Sequence, residues 1–328
     1  MSIFFCNFAA GKNELIPNEL IFGTTFAGLR RPQKHRVFPI NNPKKRKEHP
    51  MKEPKRVLFI SQEIYPYLDQ ETPIRKMNRI LPQACQEKGI ETRTFMPKFG
   101  EINERRNQLH EVIRLSGNNI VINDTDHPVL LKVASIQSAR IQIYFIDNDD
   151  FFHRRRGVTD ADGKEYDDND ERSIFFCRGS LDTVQKLRWT PNLVVCSGWM
   201  SALAPLYLRK GYAGAPFFAN AKIVVALDGH SFDTPFPDSF AEKLRIRGVE
   251  QADVENLIGK KVTYADLMKL AIDYADAITV LADDVMPELI DYAQSKGLPI
   301  LPYQPENKAE HVEFFQQLIS NEAAEEQK

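Results

Sequence analysis

Val57-Leu58-Phe59-Ile60-Ser61-Gln62-Glu63-Ile64-Tyr65-Pro66 opens with four consecutive apolar residues and then turns polar. A short apolar run of this kind, followed by a helical pattern, reads as a strand buried on both faces of a parallel sheet. The same signature returns downstream at 92–97, 140–146, 193–196, 222–227 and 277–281. Helical periodicity over 74–88, 169–187, 201–210, 263–274 and 285–295 separates these runs. Such alternation predicts βαβ units, and hence an α/β fold with a single Rossmann-like, doubly wound parallel sheet. Two runs set close together, 120–123 and 129–136, predict an antiparallel hairpin beside the parallel strands.

Composition agrees with a globular reading. The chain has 328 residues, 42% hydrophobic and 10% aromatic, enough to bury one large core. No run of 18 apolar residues occurs, so no membrane contact is expected. The four cysteines, Cys6, Cys85, Cys177 and Cys196, have no CxxC or metal-ligand spacing. They read as reduced structural thiols, which predicts a cytoplasmic protein.

Charge divides the chain. Up to Arg56 there are twelve Lys and Arg against four Glu; beyond it there are 31 against 41 Asp and Glu. Residues 1–50, with the run Lys44-Lys45-Arg46-Lys47, read as a basic, disordered leader, and no nucleic-acid partner is expected. Met51 directly precedes the first strand region and is the predicted natural start. The expected domain covers 51–302, followed by a terminal helix and tail over 303–328 with an apolar stripe through Val312, Phe315 and Leu318.

In a sheet of this type ligands bind beyond the carboxyl ends of the strands. The loop after the first strand holds Asp69 and Glu71 but no glycine or lysine, so it is not built to cradle phosphate. After the strand at 140–146 come Asp147-Asn148-Asp149-Asp150 and, later, Tyr166-Asp167-Asp168-Asn169-Asp170-Glu171-Arg172. An EF-hand frame from Asp160 fails, since its glycine falls at the fourth position instead of the sixth. Asp168 or Asn169 reads instead as a helix cap, and no metal is predicted. Ser197-Gly198-Trp199-Met200-Ser201 opens a helix whose first N–H groups offer an anion site. Asp228-Gly229-His230 ends the strand at 222–227, and reads either as an acid/base pair or as a polar turn.

Taken together, these stretches resemble a family. The 57–66 segment, Met96-Pro97-Lys98-Phe99-Gly100, Phe145-Ile146-Asp147-Asn148 with Phe151-Phe152, the Tyr166 to Arg172 element, Trp199 with 202–208, and Tyr274-Ala275-Asp276 resemble the opening half of bacterial starch/glycogen synthases, glycosyltransferase family 5. The resemblance runs from Val57 to about Ala293 and implies the N-terminal half of a GT-B architecture. It further implies glucose transfer from ADP-glucose to an α-1,4-glucan, with no cofactor and no metal. The family's Lys-x-Gly-Gly-Leu loop corresponds to the neighbourhood of Asp69 to Pro73, without its lysine or glycines. Its His-x-His-Asp-Trp-His segment corresponds to Val195 through Met200, where only Trp199 matches. The stretch beyond Ala293 is too short for the family's second domain.

The sugar-site residues expected on this basis are Asp168, Asn169, Arg172, Trp199, Asp228 and His230. No catalytic residue is named. Two readings stand: an α-glucan- or ADP-glucose-dependent glucosyltransferase domain impaired when alone, perhaps completed by a partner chain, or a non-catalytic glucan- or nucleotide-sugar-binding protein.

Overall fold

The computed structural model describes residues 54–325, apart from Arg154 and Glu306. The expected leader at 1–50, with Cys6 and the Lys44 to Lys47 run, lies outside the described residues.

Elements follow the predicted alternation. They are β1 Arg56–Ser61, α1 Pro73–Glu87, β2 Glu91–Pro97, β3 His110–Glu111, β4 Asn118–Ile122, β5 Thr125–Ile136 and β6 Ile141–Asp147. Then come α2 Asn169–Lys186, β7 Leu193–Ser197, α3 Ala204–Arg209, β8 Lys222–Leu227, α4 Phe240–Lys243, α5 Tyr264–Asp273, β9 Ala277–Val280, α6 Pro287–Ser295, β10 Ile300–Leu301 and α7 Lys308–Glu325. The strand order is β10-β9-β8-β7-β1-β2-β6-β5-β3, with β4 paired to β5. The strands from β10 to β6 run parallel, whereas β5 lies antiparallel against β6 and β4. The fold is therefore a mostly parallel α/β sheet, and its order reverses direction at β1.

Period-two alternation divides the core. Val57 and Phe59 of β1 face one side, with Leu193 and Val195 of β7, while Leu58 and Ile60 face the other with Val194 and Cys196. The first side is covered by α1 and α7, the second by α2, α3, α5 and α6. Helix α1 begins where Thr72 accepts the Arg75 N–H and Pro73 supplies a preset φ, and Ile74, Met77, Leu81 and Cys85 form its buried stripe. On α7 the buried stripe is Val312, Phe315 and Ile319, with Leu318 only partly covered, one residue away from the expected third position. Phe315 meets Phe59 edge-to-face at 6.3 Å, and burying each such side chain contributes roughly 1.5–3 kcal/mol. Cys85, Cys177 and Cys196 are free and buried.

The hairpin is tighter than expected. Asn123 and Asp124 both have positive φ, 49° and 60°, so a two-residue turn joins β4 to β5, and β5 begins four residues earlier than the apolar pattern suggests. The helix expected from Ser201 is split into a 3-10 turn, Trp199–Ser201, and the short α3. Among the described residues no helix is long and apolar enough to cross a membrane.

Candidate functional site

The reversal of strand order places the candidate site above β1 and β7, where the loops after β1, β6, β8 and β9 converge. At the centre, the crevice is closed by one side chain. The Gln62 N–H donates to the Ser197 carbonyl at 2.9 Å, and its Oε1 accepts from the Met200 N–H at 3.0 Å. Gly198, at φ +81°, permits this, because a Cβ there would lie 2.6 Å from the Gln62 Cβ. The N–H groups of Ser201 and Ala202 bond back to Gly198 and Trp199. The N–H groups of Met200, Ser201 and Ala202 are thus engaged within the protein and are not offered to an anion.

The loop after β1 folds back on α1. Glu63, 9% exposed, accepts from Arg75 Nε at 2.8 Å, and its carbonyl accepts from Asn78 Nδ2 at 2.8 Å. Arg75 also donates to the Gln70 carbonyl at 2.9 Å. Asp69 remains exposed and faces Arg106 at 3.7 Å.

Asp228 and His230 come together after β8. The buried Asp228 carboxylate accepts the His230 N–H at 2.7 Å and lies 3.4 Å from its Nδ1. The carboxylate beside Nδ1 raises the imidazole pKa; burial opposes it, and the nearby Glu63 adds to the rise. A Cβ on Gly229 would fall 2.1 Å from Asp284 Oδ1, so the Asp284 carboxylate lies directly against this turn. The rim thus presents His230 among the carboxylates of Glu63, Asp228 and Asp284. Glu101, on the loop after β2, lies within electrostatic range of Glu63, Asp69, Arg75 and Arg156.

The second group gathers at the start of α2 and is mostly internal. Arg172 is fully buried and donates to the carbonyls of Phe151 at 2.8 Å and Gly157 at 2.7 Å, and to Asn169 Oδ1 at 2.6 Å. Its guanidinium lies 5.2 Å from the ring centroids of Phe152 and Tyr166, and burial lowers its pKa to about 10. Asn169 Nδ2 donates to the Val158 carbonyl at 2.9 Å. Asp168 occupies the N-cap position without a side-chain capping bond; its carboxylate turns instead to Arg155 at 3.0 Å. The expected capping by Asp168 or Asn169 is therefore replaced by a brace that pins 151–158 to α2. Glu165 joins the two groups, accepting the N–H groups of Asp233 at 2.9 Å and Thr234 at 2.7 Å.

Trp199 belongs to neither group. It is 1% exposed and packs edge-on against Phe232 at 5.2 Å and Phe236 at 5.9 Å. A ring enclosed in this way has no free face for a sugar.

Sequence reasoning passed over one buried charge network. Lys132 lies 2.9 Å from Asp147 and 2.7 Å from Glu104, which Lys98 meets at 2.9 Å. Glu104, Asp147 and His153 hold ligand-type atoms within 4.8 Å of one another, but two ammonium groups already balance the carboxylates. Its signal was Lys98 standing directly after β2, where a buried lysine requires a partner.

A family model described as the starch synthase catalytic domain matches residues 56–301. A glycogen synthase of Chlorobium limicola is 34% identical over 230 residues, covering 68% of this chain and 47% of the relative. A glycogen synthase of Chlorobaculum tepidum is 31% identical over 237 residues, covering 72% and 47%. The chain spans about half the length of the curated relatives it matches. Among solved structures, the catalytic domain of starch synthase IV from Arabidopsis thaliana, bound to ADP and acarbose, superposes with a TM-score of 0.60 at 16% identity, covering 77% of this chain and 52% of that one. At that identity the likeness is one of fold.

Proposed function

The chain belongs to the starch synthase catalytic-domain family, and from that premise we propose that it binds α-glucan in the rim above β1 and β8 and does not transfer glucose from ADP-glucose by its own residues. The observation that carries this reading is the charge of the rim. Glu63, Glu101, Asp228 and Asp284 gather there, and Arg75 is held by Glu63 at 2.8 Å. A leaving diphosphate needs preorganised cations or N–H donors, and loss of one such donor typically costs about 10²–10³ in rate. The N–H groups of Met200, Ser201 and Ala202 in the Trp199 turn are already bonded internally. Sugar hydroxyls, by contrast, are well matched to carboxylates and an imidazole, which accept and donate at short range. His230 and Asp228 are the groups placed to hold them, with the partly exposed Asp168 at the neighbouring edge.

Calorimetric titration of the purified chain with maltooligosaccharides, ADP-glucose and ADP, followed by a radiolabelled glucose-transfer assay, tests this. Maltooligosaccharide binding that weakens in His230→Ala, without transfer, is the expected result. Transfer by the purified chain overturns the second half of the proposal, and absence of glucan binding overturns the first.

A further inference from the structure

A concave groove lies on the outer side of α2, apart from the rim. It encloses about 520 Å³ and is walled by Arg178, Lys243, Arg245 and Arg247, with Asn123 and Ser239 between them. Arg178 sits nine residues along α2 from Asn169, about 13 Å at the helical rise.

The segment 244–249 sets the two exposed arginines in a fixed frame. Leu244 and Val249 are buried at its ends and Ile246 is half-buried between them, so Arg245 and Arg247 project outward on alternate positions. Two glycines hold the segment against the 210–214 turn. Gly248, at φ +93°, would bring a Cβ to 2.5 Å from the Lys210 carbonyl, and a Cβ on Gly211 would lie 2.7 Å from Ile246 Cδ1. Lys243 is clasped by Asp170 at 2.8 Å and Glu171 at 2.7 Å, and these carboxylates hold its ammonium charged. Arg178 donates to the Val121 carbonyl at 2.6 Å. Among the described residues Arg245 and Arg247 have no carboxylate partner within ion-pair distance. Glu242 and Asp124 are the acidic groups in the wall.

Two guanidinium groups two residues apart, rigidly based and unpaired, match a phosphoryl group, which they contact through parallel N–H donors. The volume suits a small polar ligand, and Asn123 and Ser239 supply hydrogen bonds for neighbouring hydroxyls. We propose that this groove binds a small phosphomonoester, with Arg245 and Arg247 holding its phosphoryl group. The site does not depend on the glucan reading of the rim. Two features link it to that region: α2, which carries both Arg178 and Asn169, and Lys243, which lines the groove and grips Asp170 and Glu171.

The test is calorimetric titration of the full chain with glucose 6-phosphate, inorganic phosphate and neutral glucose. Glucose 6-phosphate should bind and neutral glucose should not, and Arg245→Ala/Arg247→Ala should weaken binding about tenfold to a hundredfold. Both arginines are exposed, so the double variant should retain the fold, with circular dichroism as the check. Equal affinity for inorganic phosphate assigns recognition to the phosphoryl group alone and upholds the site; tighter glucose 6-phosphate binding adds the sugar hydroxyls. Glu242→Gln should strengthen binding. The proposal is overturned if neither phosphate binds up to about 10 mM, if the double variant binds like the parent, or if Lys260→Ala/Lys296→Ala, two lysines outside the groove's lining, weakens binding equally.

Discussion

The Asp228 carboxylate accepts the backbone N–H of His230 at 2.7 Å and stands 3.4 Å from the same residue's Nδ1, so one buried acid fixes both the loop and the imidazole that it presents. His230 should therefore titrate above the ordinary value of about 6.5, and Asp228→Asn should bring it back down in an NMR titration. The protonated form is the one favoured by folding. Its stabilisation is complete below the unfolded pKa and is lost as pH rises through the folded one. His230→Gln should thus lower stability more at about pH 5.5 than at about pH 8.5. Equal losses at both, by urea denaturation, would show that Asp228 does not hold the charge.

Gly198 and Gly163 both have positive φ, +81° and +82°, but only Gly198 meets a neighbour, the Gln62 side chain at 2.6 Å. Gly163→Ala should cost about 1–2 kcal/mol from backbone strain alone. Gly198→Ala should cost about 2–5 kcal/mol, because overpacking adds to the same strain. Paired denaturation curves separate the two terms, and equal costs would remove Gln62 as the element that closes the crevice.

Arg172 makes three hydrogen bonds to acceptors on 151–169 while fully buried. Arg172→Ala should destabilise the protein by about 3–5 kcal/mol, since the Phe151 and Gly157 carbonyls lose their donors. Arg172→Lys should recover less than half of that, as an ammonium cannot reproduce a planar fork. A loss below about 1 kcal/mol for Arg172→Ala would mean that 151–158 holds its path without the brace.

The sheet was legible because β1, β7 and β8 are nearly unbroken apolar runs, as expected of parallel strands covered on both faces. β8 matches its sequence bounds at both ends for this reason. β3 and β10 are two residues long and paired on one side only, so no periodicity announces them. Site residues were legible as types in place after strands, not as contacts. Asp228 and His230, two apart, could be paired from sequence alone. The partner of Asp168 could not, because Arg155 reaches it across thirteen residues of irregular chain. Nor could the setting of Lys98, whose carboxylate Glu104 is shared with Lys132 from a strand nearly thirty residues on.

Trp199 shows the same limit and gives the sharpest test of it. An aromatic residue after a strand end is equally suited to stack on a sugar or to fill a core, and the deciding neighbours, Phe232 and Phe236, arrive from a loop more than thirty residues away. With 1% of its surface exposed, the ring acts through packing. Trp199→Ala should cost about 3–5 kcal/mol, as for other large aromatic truncations. Trp199→Phe keeps a ring against Phe232 and should stay within about 1.5 kcal/mol of the parent, with maltooligosaccharide affinity unchanged by calorimetry. A direct sugar contact predicts the opposite pattern. Trp199→Phe would then lose affinity while unfolding at the parent's urea midpoint, and that result would place the ring at the ligand instead of in the core.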